Sequence, residues 1–249
     1  MRYLTAKEIK SSHYSESHEV LGKCTGKSVR DLFAIKVFTK YYHQLLNDKT
    51  LPILDLGPAS GGFASQIYET GYTNISGVDV DNYLKDQNRT LFKEFKTADL
   101  SWDSIPWPDN NFKVVTAWCV LPHIENPFHC LREIHRVLDN NGLFIFTTPH
   151  LTSKPSIDYF AEKEDFGSYR ASNNHIILFP RGVVEKTVLK YFDLIETEYH
   201  VRPKIFERGI LGRLRECIYK ASGKISPEFK KRIEKRWSYN IVYILKKRK

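Results

Sequence analysis

Along most of the chain, segments with a strand-like pattern of apolar residues alternate with segments that have a helix-like pattern. Short continuous apolar runs rich in Val and Ile predict buried strands, at 51–56, 75–80, 112–117 and 143–148. Amphipathic stretches predict helices before and between them, at 28–46, 62–70, 82–93 and 127–138. Strands that alternate with helices of this length form βαβ units. The pattern therefore predicts an α/β, doubly wound, mostly parallel sheet with helices on both faces.

The periodicity weakens after Pro149 and returns near residue 181. The polar and aromatic segment 149–180 shows few periodic features, so we expect a substrate lid there. A helix at 181–192 and strands at 193–201 and 237–249 follow. Together with the four runs above and a short strand that ends at Asp99, they complete a seven-stranded sheet whose last strand is antiparallel. Right-handed crossovers would then gather the carboxyl ends of the strands at one edge, where ligands bind.

Length and composition predict one structural domain, because 249 residues with 41% apolar side chains suffice for a packed core. We divide it into an N-terminal lid segment and helix, a core that includes the lid, a basic helical insertion, and a closing strand with a basic tail, at 1–50, 51–203, 204–237 and 238–249. No apolar run approaches the roughly 20 residues of a membrane span, and none resembles a signal segment. Four unpaired cysteines indicate reduced thiols in a cytoplasmic protein.

The net charge of +9 is concentrated at the C-terminal end, where residues 204–249 hold 15 basic and 4 acidic side chains. We expect two amphipathic helices with basic outer faces there, with Ser226 as N-cap and Pro227 as first residue of the second. Their apolar stripes are Ile210, Leu211, Leu214, Cys217 and Ile218, then Phe229, Ile233 and Trp237. The favoured interpretation is a solvated hairpin packed on the sheet. The alternative is a site for an anionic membrane, a lipid- or diphosphate-linked sugar, or RNA.

The stretch "ILDLGPASGG", residues 53–62, predicts a glycine loop that follows the first strand. Asp55 would repel the pyrophosphate of a dinucleotide at this point but suits a cationic group, which favours S-adenosylmethionine over NAD. Asp79 ends the next strand, 22 residues after Gly57, where a carboxylate can accept both ribose hydroxyls. Asp99 follows a third short strand, where it can accept from the adenine amino group.

These residues resemble the class I S-adenosylmethionine-dependent methyltransferases, in the group that acts mostly on small molecules, lipids or sugars. "LDLGPASGGFASQI" is similar to the first motif of the family, "SGVDVDN" to its ribose-binding turn and "ADL" to its adenine contact. Residues 105–149 resemble the fourth and fifth strands and the helix between them. The resemblance covers about 51–200 and 238–248, and Ala59 departs from it by replacing the middle glycine.

The resemblance and the strand ends together select the candidate site. The predicted cofactor-binding residues are Asp55, Gly57, Ala59, Gly61, Asp79, Val80, Asp99, Leu100 and Cys119. His123, just past the fourth strand, is the candidate general base, or alternatively closes the loop by a backbone hydrogen bond. Candidate substrate contacts in or beside the lid are His150, Tyr159, Tyr169, Arg170 and His175. No histidine and cysteine spacing matches a zinc site, so no metal is predicted.

The resemblance implies methyl transfer from S-adenosylmethionine to a small or carrier-linked acceptor, with O-methylation of a saccharide or lipid intermediate favoured. The fourth strand ends in "TAWCVLP", not in the Asp/Asn-Pro-Pro-aromatic signature of nucleic-acid amino-methyltransferases. Two alternatives stay open: an RNA methyltransferase that uses the basic hairpin, and a non-catalytic binding subunit.

Overall fold

The computed structural model describes the backbone of residues 29–170, 174–201 and 209–248, with side chains from residue 32 in the first range and from 212 in the third. The strands are β1 Ile53–Leu56, β2 Ile75–Asp79, β3 Glu94–Thr97, β4 Phe112–Ala117, β5 Leu138–Pro149, β6 Phe192–His200 and β7 Asn240–Lys247. The helices are α1 Val29–Leu45, α2 Gly62–Glu69, α3 Asp86–Arg89, α4 Pro127–Val137, α5 Lys154–Lys163, α6 Arg181–Thr187, α7 Gly209–Ile225 and α8 Pro227–Trp237. Two 3₁₀ turns lie at Leu121–His123 and Val188–Lys190.

The strands form one seven-stranded sheet in the order β3-β2-β1-β4-β5-β7-β6. All neighbours pair in parallel except β7, which is antiparallel to both β5 and β6. This confirms the predicted doubly wound sheet with an antiparallel last strand. The chain order reverses beside β1, which pairs with β2 on one side and β4 on the other, and ligand crevices form at such a point.

The alternation of side chains along the strands divides the core into two layers, one on each face of the sheet. Ile53, Val114 and Ile145 point to the face that α1 and α2 cover. Leu54 and Val115, one position along, point to the face that α4 and α6 cover. Because both faces are buried, the strands consist of continuous apolar runs, which is typical of parallel sheets.

The helix predicted at 82–93 is wrong in extent, since only Asp86–Arg89 is helical. Just before this helix, side-chain oxygens accept backbone N–H groups that a longer helix would use for its own hydrogen bonds. The Asp81 carboxylate accepts the N–H of Asn82 at 2.7 Å, and the Asn82 side-chain oxygen accepts the N–H of Leu84 at 3.2 Å. Such local bonds stabilise turns at the expense of helix.

The lid segment contains a helix that the sequence did not predict, α5 at Lys154–Lys163. None of its residues is buried, so it lacks the apolar stripe by which a helix is usually recognised. Ser153 in extended conformation and Pro155 in the first turn mark its start and are the signal that was available. Residues 174–180 are irregular, and 171–173 lie outside the described residues.

The C-terminal helices α7 and α8 form the predicted hairpin. The Ser226 hydroxyl accepts the N–H of Phe229 at 3.2 Å and Pro227 opens α8, which confirms the predicted cap. The expected orientation of α7 is wrong: Leu214, Cys217 and Ile218 face outward and are exposed. Residues 202–208 and the side chains of Ile210 and Leu211 lie outside the described residues, as does 1–28 of the predicted N-terminal lid segment.

Candidate functional site

A cavity of about 700 Å³ opens at the carboxyl edge of the sheet. Its lining residues fall into two groups: one follows β1, β2, β3 and β4, and the other comes from the 3₁₀ turn, α5, residues 167–170, Asn174, His175 and the start of β7. Because parallel strands end at the same edge, groups that are far apart in sequence meet here. We call these parts the strand end and the lid end of the cavity.

The glycine loop after β1 lets the backbone approach the strand end closely. Gly57 has φ +59°, and a Cβ there would lie 2.7 Å from Cγ2 of Val120, so the backbone tolerates no side chain at this point. Ala59 adopts φ +49° in spite of its Cβ, a strained but accessible conformation. Both residues line the cavity. Gly61, with φ +80°, starts α2 and does not line it.

Asp79 is the carboxylate that faces the strand end. It is 8% exposed, and its two oxygens accept the backbone N–H groups of Ala59 at 3.1 Å and Val80 at 2.8 Å. Burial raises its pKa to about 6, against the opposing effect of these two bonds. Each oxygen keeps acceptor capacity for a donor in the cavity.

Asp55 lies beneath the glycine loop and does not line the cavity. It is 1% exposed, and Thr116 Oγ1 donates to its Oδ1 at 2.7 Å. Its Oδ2 has no hydrogen-bond partner within the part of the chain that the structure describes. Burial, with the nearby charge of Asp79, raises its pKa to about 7. An unsatisfied buried carboxylate at this position favours a cationic or hydrogen-bond-donating group next to it.

The ends of β3 and β4 supply the rest of the strand end. Asp99 and Leu100 line it, with the Asp99 carboxylate accepting the N–H of Ser101 at 2.9 Å. Cys119 also lines it in the left-handed conformation, φ +61°, and its N–H donates to Thr147 Oγ1 at 2.7 Å. That bond fixes the strained turn after β4 against β5.

Two histidines line the lid end. Nδ1 of His123 donates to the backbone carbonyl of Asn174 at 3.1 Å, and Nδ1 of His175 donates to that of Ser168 at 2.6 Å. Their rings meet edge to face with centroids 4.5 Å apart. In a neutral imidazole that donates from Nδ1, the lone pair resides on Nε2. The bond from His123 is also the loop closure that the sequence offered as its alternative role.

Tyr159 and Arg170 line the lid end as well, whereas two other predicted substrate contacts do not. His150 is buried, with Nδ1 2.6 Å from Ser238 Oγ and Nε2 3.1 Å from Thr152 Oγ1, and burial lowers its pKa to about 4. Tyr169 donates to the carbonyl of Ile177 at 3.0 Å. These two side chains therefore hold the walls of the site together.

Several lining residues were missed by the sequence analysis. They are Ala98, Ser101, Trp118, Val120, Ile124, Glu125, Pro149, Pro155, Ser156, Gly167, Ser168, Asn174, Tyr239 and Asn240. The predicted antiparallel last strand was an available signal for Tyr239 and Asn240, because such a strand starts at the edge where the parallel strands end.

Comparison with known proteins matches this site to a family. The model described as "Methyltransferase domain" matches residues 54–146, which span β1 to β5 and so include the glycine loop, Asp79 and Asp99. The segment 54–146 is therefore a class I S-adenosylmethionine-dependent methyltransferase domain. S-adenosylmethionine is the cofactor of this family and of this chain.

The relatives of this chain are named for different acceptors, and the chain spans less than two fifths of the length of the first curated relatives that it matches. Sarcosine/dimethylglycine N-methyltransferase of Halorhodospira halochloris is 26% identical over 103 residues, 39% of this chain and 37% of that protein. Demethylmenaquinone methyltransferase of Chlorobaculum tepidum is 20% identical over 210 residues, 78% of this chain and 86% of that protein. The fold is similar to that of Haemonchus contortus phosphoethanolamine N-methyltransferase 2, with TM-score 0.57, 16% identity, and coverage of 97% of this chain and 59% of that one.

The residues of this methyltransferase fit S-adenosylmethionine. Gly57 provides the close backbone approach, and Asp79 has acceptor capacity for the ribose hydroxyls. Asp55 is 1% exposed and outside the lining, so its carboxylate would favour a bound cationic group through its charge and not by direct contact. Within the described residues no helix combines the length and the apolar composition needed to cross a bilayer.

Proposed function

We propose that this protein transfers a methyl group from S-adenosylmethionine to a hydroxyl of a small or carrier-linked acceptor, a saccharide or lipid intermediate. The observation that carries the proposal is that Asp79 and His123 line the same cavity, one at each end. A group that orients the cofactor and a group that can accept a proton are thereby placed in one enclosed space.

At the strand end, the chain holds and orients the cofactor. Asp79 would accept hydrogen bonds from the ribose hydroxyls, and Asp99 would accept one from the adenine amino group. Val80 and Leu100 would contact the adenosyl group. When bound, S-adenosylmethionine would supply the methyl group of its sulfonium by in-line displacement, in which the acceptor oxygen gains the methyl group and S-adenosylhomocysteine leaves as a neutral thioether. Since little covalent machinery is required, positioning is the main contribution of the protein to the rate.

At the lid end, His123 accepts the proton of the acceptor hydroxyl. The carbonyl of Asn174 keeps the ring proton on Nδ1, so that Nε2 carries the lone pair that a base needs. The same bond fixes the ring plane. His123 is therefore the catalytic residue in this proposal.

Tyr159, Arg170 and His175 bind the acceptor. The guanidinium of Arg170 suits the phosphate of a carrier-linked sugar or lipid, because its planar donors match phosphate oxygens. A cavity of about 700 Å³ holds a cofactor together with a small second ligand. We propose that 149–180 acts as the lid, as its share of the lining supports.

Of the two alternatives, an RNA methyltransferase is less well supported, since the side chains that α7 exposes in the basic hairpin, such as Leu214 and Ile218, are aliphatic, whereas RNA is bound by cations and aromatic stacking. A non-catalytic subunit would need no proton acceptor, so the fixed tautomer of His123 favours an enzyme.

The proposal is tested by incubating the protein with methyl-labelled S-adenosylmethionine and fractionated extracts that contain saccharide and lipid intermediates. We expect the label in an acid-stable methyl ether, detected by mass spectrometry. The Asp79→Asn variant is the matched control, because it weakens cofactor binding without changing the lid end. Tight cofactor binding with no labelled product would contradict the proposal, and label on nitrogen or RNA would contradict its acceptor class.

A further inference from the structure

The outward face of α7 presents a continuous apolar stripe, formed by Leu214, Ile218, Ala221 and Ile225. These positions are spaced i, i+4, i+7 and i+11, so they lie along one side of the helix. Leu214 is 55% exposed, Ile218 45% and Ile225 71%. We call this row the α7 stripe, and an ordinary surface helix would turn such a row toward the core.

The opposite face of α7 is already used for packing within the chain. Tyr219 OH donates to Glu234 of α8 at 3.0 Å, and the Arg215 guanidinium lies 4.9 Å from the centre of the Trp237 ring. Gly223 lies close to Lys230, whose Cδ would be 3.2 Å from a Cβ. Because these contacts determine the orientation of α7 on α8, the stripe cannot turn inward without breaking them.

Cationic side chains border the α7 stripe. Arg213, Lys220 and Lys224 follow one side of it at helical spacing, and Arg215 lies on the other. Residues 209–237 carry nine basic and three acidic side chains in total. An aliphatic centre with a cationic border is the arrangement of a helix that lies in the surface of an anionic bilayer.

We infer that the α7 stripe docks this protein on the surface of an anionic lipid bilayer. Ile218 and Ile225 enter the boundary between headgroups and acyl chains, and Arg213 and Lys224 contact anionic headgroups. The inference rests on the surface alone and does not depend on methyl transfer.

The charges and side-chain types favour a bilayer over other occupants. A second copy of the chain would place cationic borders against each other, which is repulsive. RNA is bound by cations and aromatic stacking, and the centre of the α7 stripe is aliphatic.

The hairpin that carries the α7 stripe contacts the lid through α8. α8 contacts α5, which exposes Ile157 and Phe160 to solvent and contributes Tyr159 to the lid end. Beyond α8, Ser238 bonds to His150, and Tyr239 and Asn240 line the cavity. Docking would therefore bring the lid end close to the lipid surface.

The test is co-sedimentation of the full chain with vesicles of phosphatidylcholine alone and of equimolar phosphatidylcholine and phosphatidylglycerol. We expect binding to the anionic vesicles. The double variant Ile218→Ser and Ile225→Ser should reduce the partition coefficient by about tenfold or more, because apolar burial is lost. The matched control, Leu32→Ser with Leu45→Ser, changes two α1 leucines of similar exposure, 51% and 45%, and should leave it unchanged.

Charge is tested separately. Arg213→Gln with Lys224→Gln should reduce partitioning by about fivefold per charge, whereas Lys93→Gln with Lys186→Gln, at exposed positions elsewhere, should have little effect. Thermal unfolding checks that each variant is folded. If the double serine variant does not fold, the loss of vesicle binding in Arg213→Gln with Lys224→Gln tests the inference instead.

Four results would overturn the inference. The first is no binding to anionic vesicles, and the second is binding that the serine variant retains in full. The third is a stable dimer of the wild type that Ile218→Ser dissociates. RNA binding that depends on Arg213 and Lys224 but not on the isoleucines, without vesicle binding, would likewise assign the surface to nucleic acid.

Discussion

The strand end of the cavity is formed by Asp79 of β2 and by the turns that directly follow β1, β3 and β4, whereas the lid-end histidines lie in longer connecting segments. Asp79 ends β2 and is held by two backbone N–H groups in a nearly dry environment. His123 and His175 lie in a 3₁₀ turn and in the lid, are only partly buried, and each donates to a backbone carbonyl. The strand end is determined by the fold, and the lid end by contacts specific to this chain.

This difference has a physical consequence. Strand-end carboxylates are buried before any ligand binds, so ionising them is costly in free energy until a ligand compensates the charge. The lid-end histidines are more exposed to water, so they orient a ligand without the free-energy cost of ionising a buried group. We therefore expect substitutions at the strand end to change cofactor affinity and stability, and substitutions at the lid end to change turnover.

The largest expected effect is at the lid end. His123→Gln should lower kcat by about 10²- to 10⁴-fold, because the proton acceptor is removed, and leave cofactor affinity unchanged. His175→Gln is the matched control, with the same kind of carbonyl anchor, and should raise KM for the acceptor more than it lowers kcat. Steady-state kinetics on the acceptor found by labelling checks both. Equal losses of kcat in His123→Gln and His175→Gln would contradict the assignment of His123 as the proton acceptor and of His175 as a binding residue.

The next effect is on stability, at the buried carboxylate of β1. The folded pKa of Asp55, about 7, exceeds its ordinary value near 4, so the folded chain binds an extra proton between these values and loses stability as pH rises. Asp55→Asn should therefore stabilise the unliganded protein above pH 7 by up to about 4 kcal/mol, with the gain vanishing toward pH 4.

Urea unfolding at acidic and at mildly alkaline pH measures this difference. Asp86→Asn, at a highly exposed carboxylate, is the control and should change stability by less than about 0.5 kcal/mol at either pH. A loss of stability in Asp55→Asn at alkaline pH would contradict this prediction. It would mean that the negative charge of Asp55 is already compensated by a partner in the unliganded protein.

A smaller effect is the pH dependence of cofactor affinity. Asp79 has a pKa of about 6 without ligand, and its ionised form is the better acceptor for ribose hydroxyls. Affinity should fall by roughly tenfold per pH unit below that value and be constant well above it. Calorimetry across this range is the measurement. In Asp79→Asn the cofactor affinity should no longer depend on pH in this range. In the control Asp109→Asn, which lies outside the cavity, the pH dependence should be unchanged.

The sequence predicted the sheet and most of the strand end, because both depend on local patterns. Runs of Val and Ile identified the buried strands, and the acids and glycines at the strand ends identified Gly57, Asp79 and Asp99 as neighbours. Asp55 was expected at the same edge, but its strand position places it below the glycine loop.

What the sequence could not predict depends on contacts between distant segments. His150 was assigned to the lid, but its partner Ser238 is 88 residues away. The apolar stripe of α7 was recognised by its spacing, yet spacing does not tell which side of a helix packs. That was decided by Tyr219 and Glu234, which join the two helices on the other face.

The separation of the two ends is tested most directly by calorimetry of S-adenosylmethionine binding to Asp79→Asn and Arg170→Gln side by side. Both residues line the cavity, one at each end. We expect Asp79→Asn to weaken binding by about 10- to 100-fold, since a charged acceptor for the ribose is lost, and Arg170→Gln to change it by less than about twofold. A loss of affinity in Arg170→Gln as large as that in Asp79→Asn would contradict the division of the cavity.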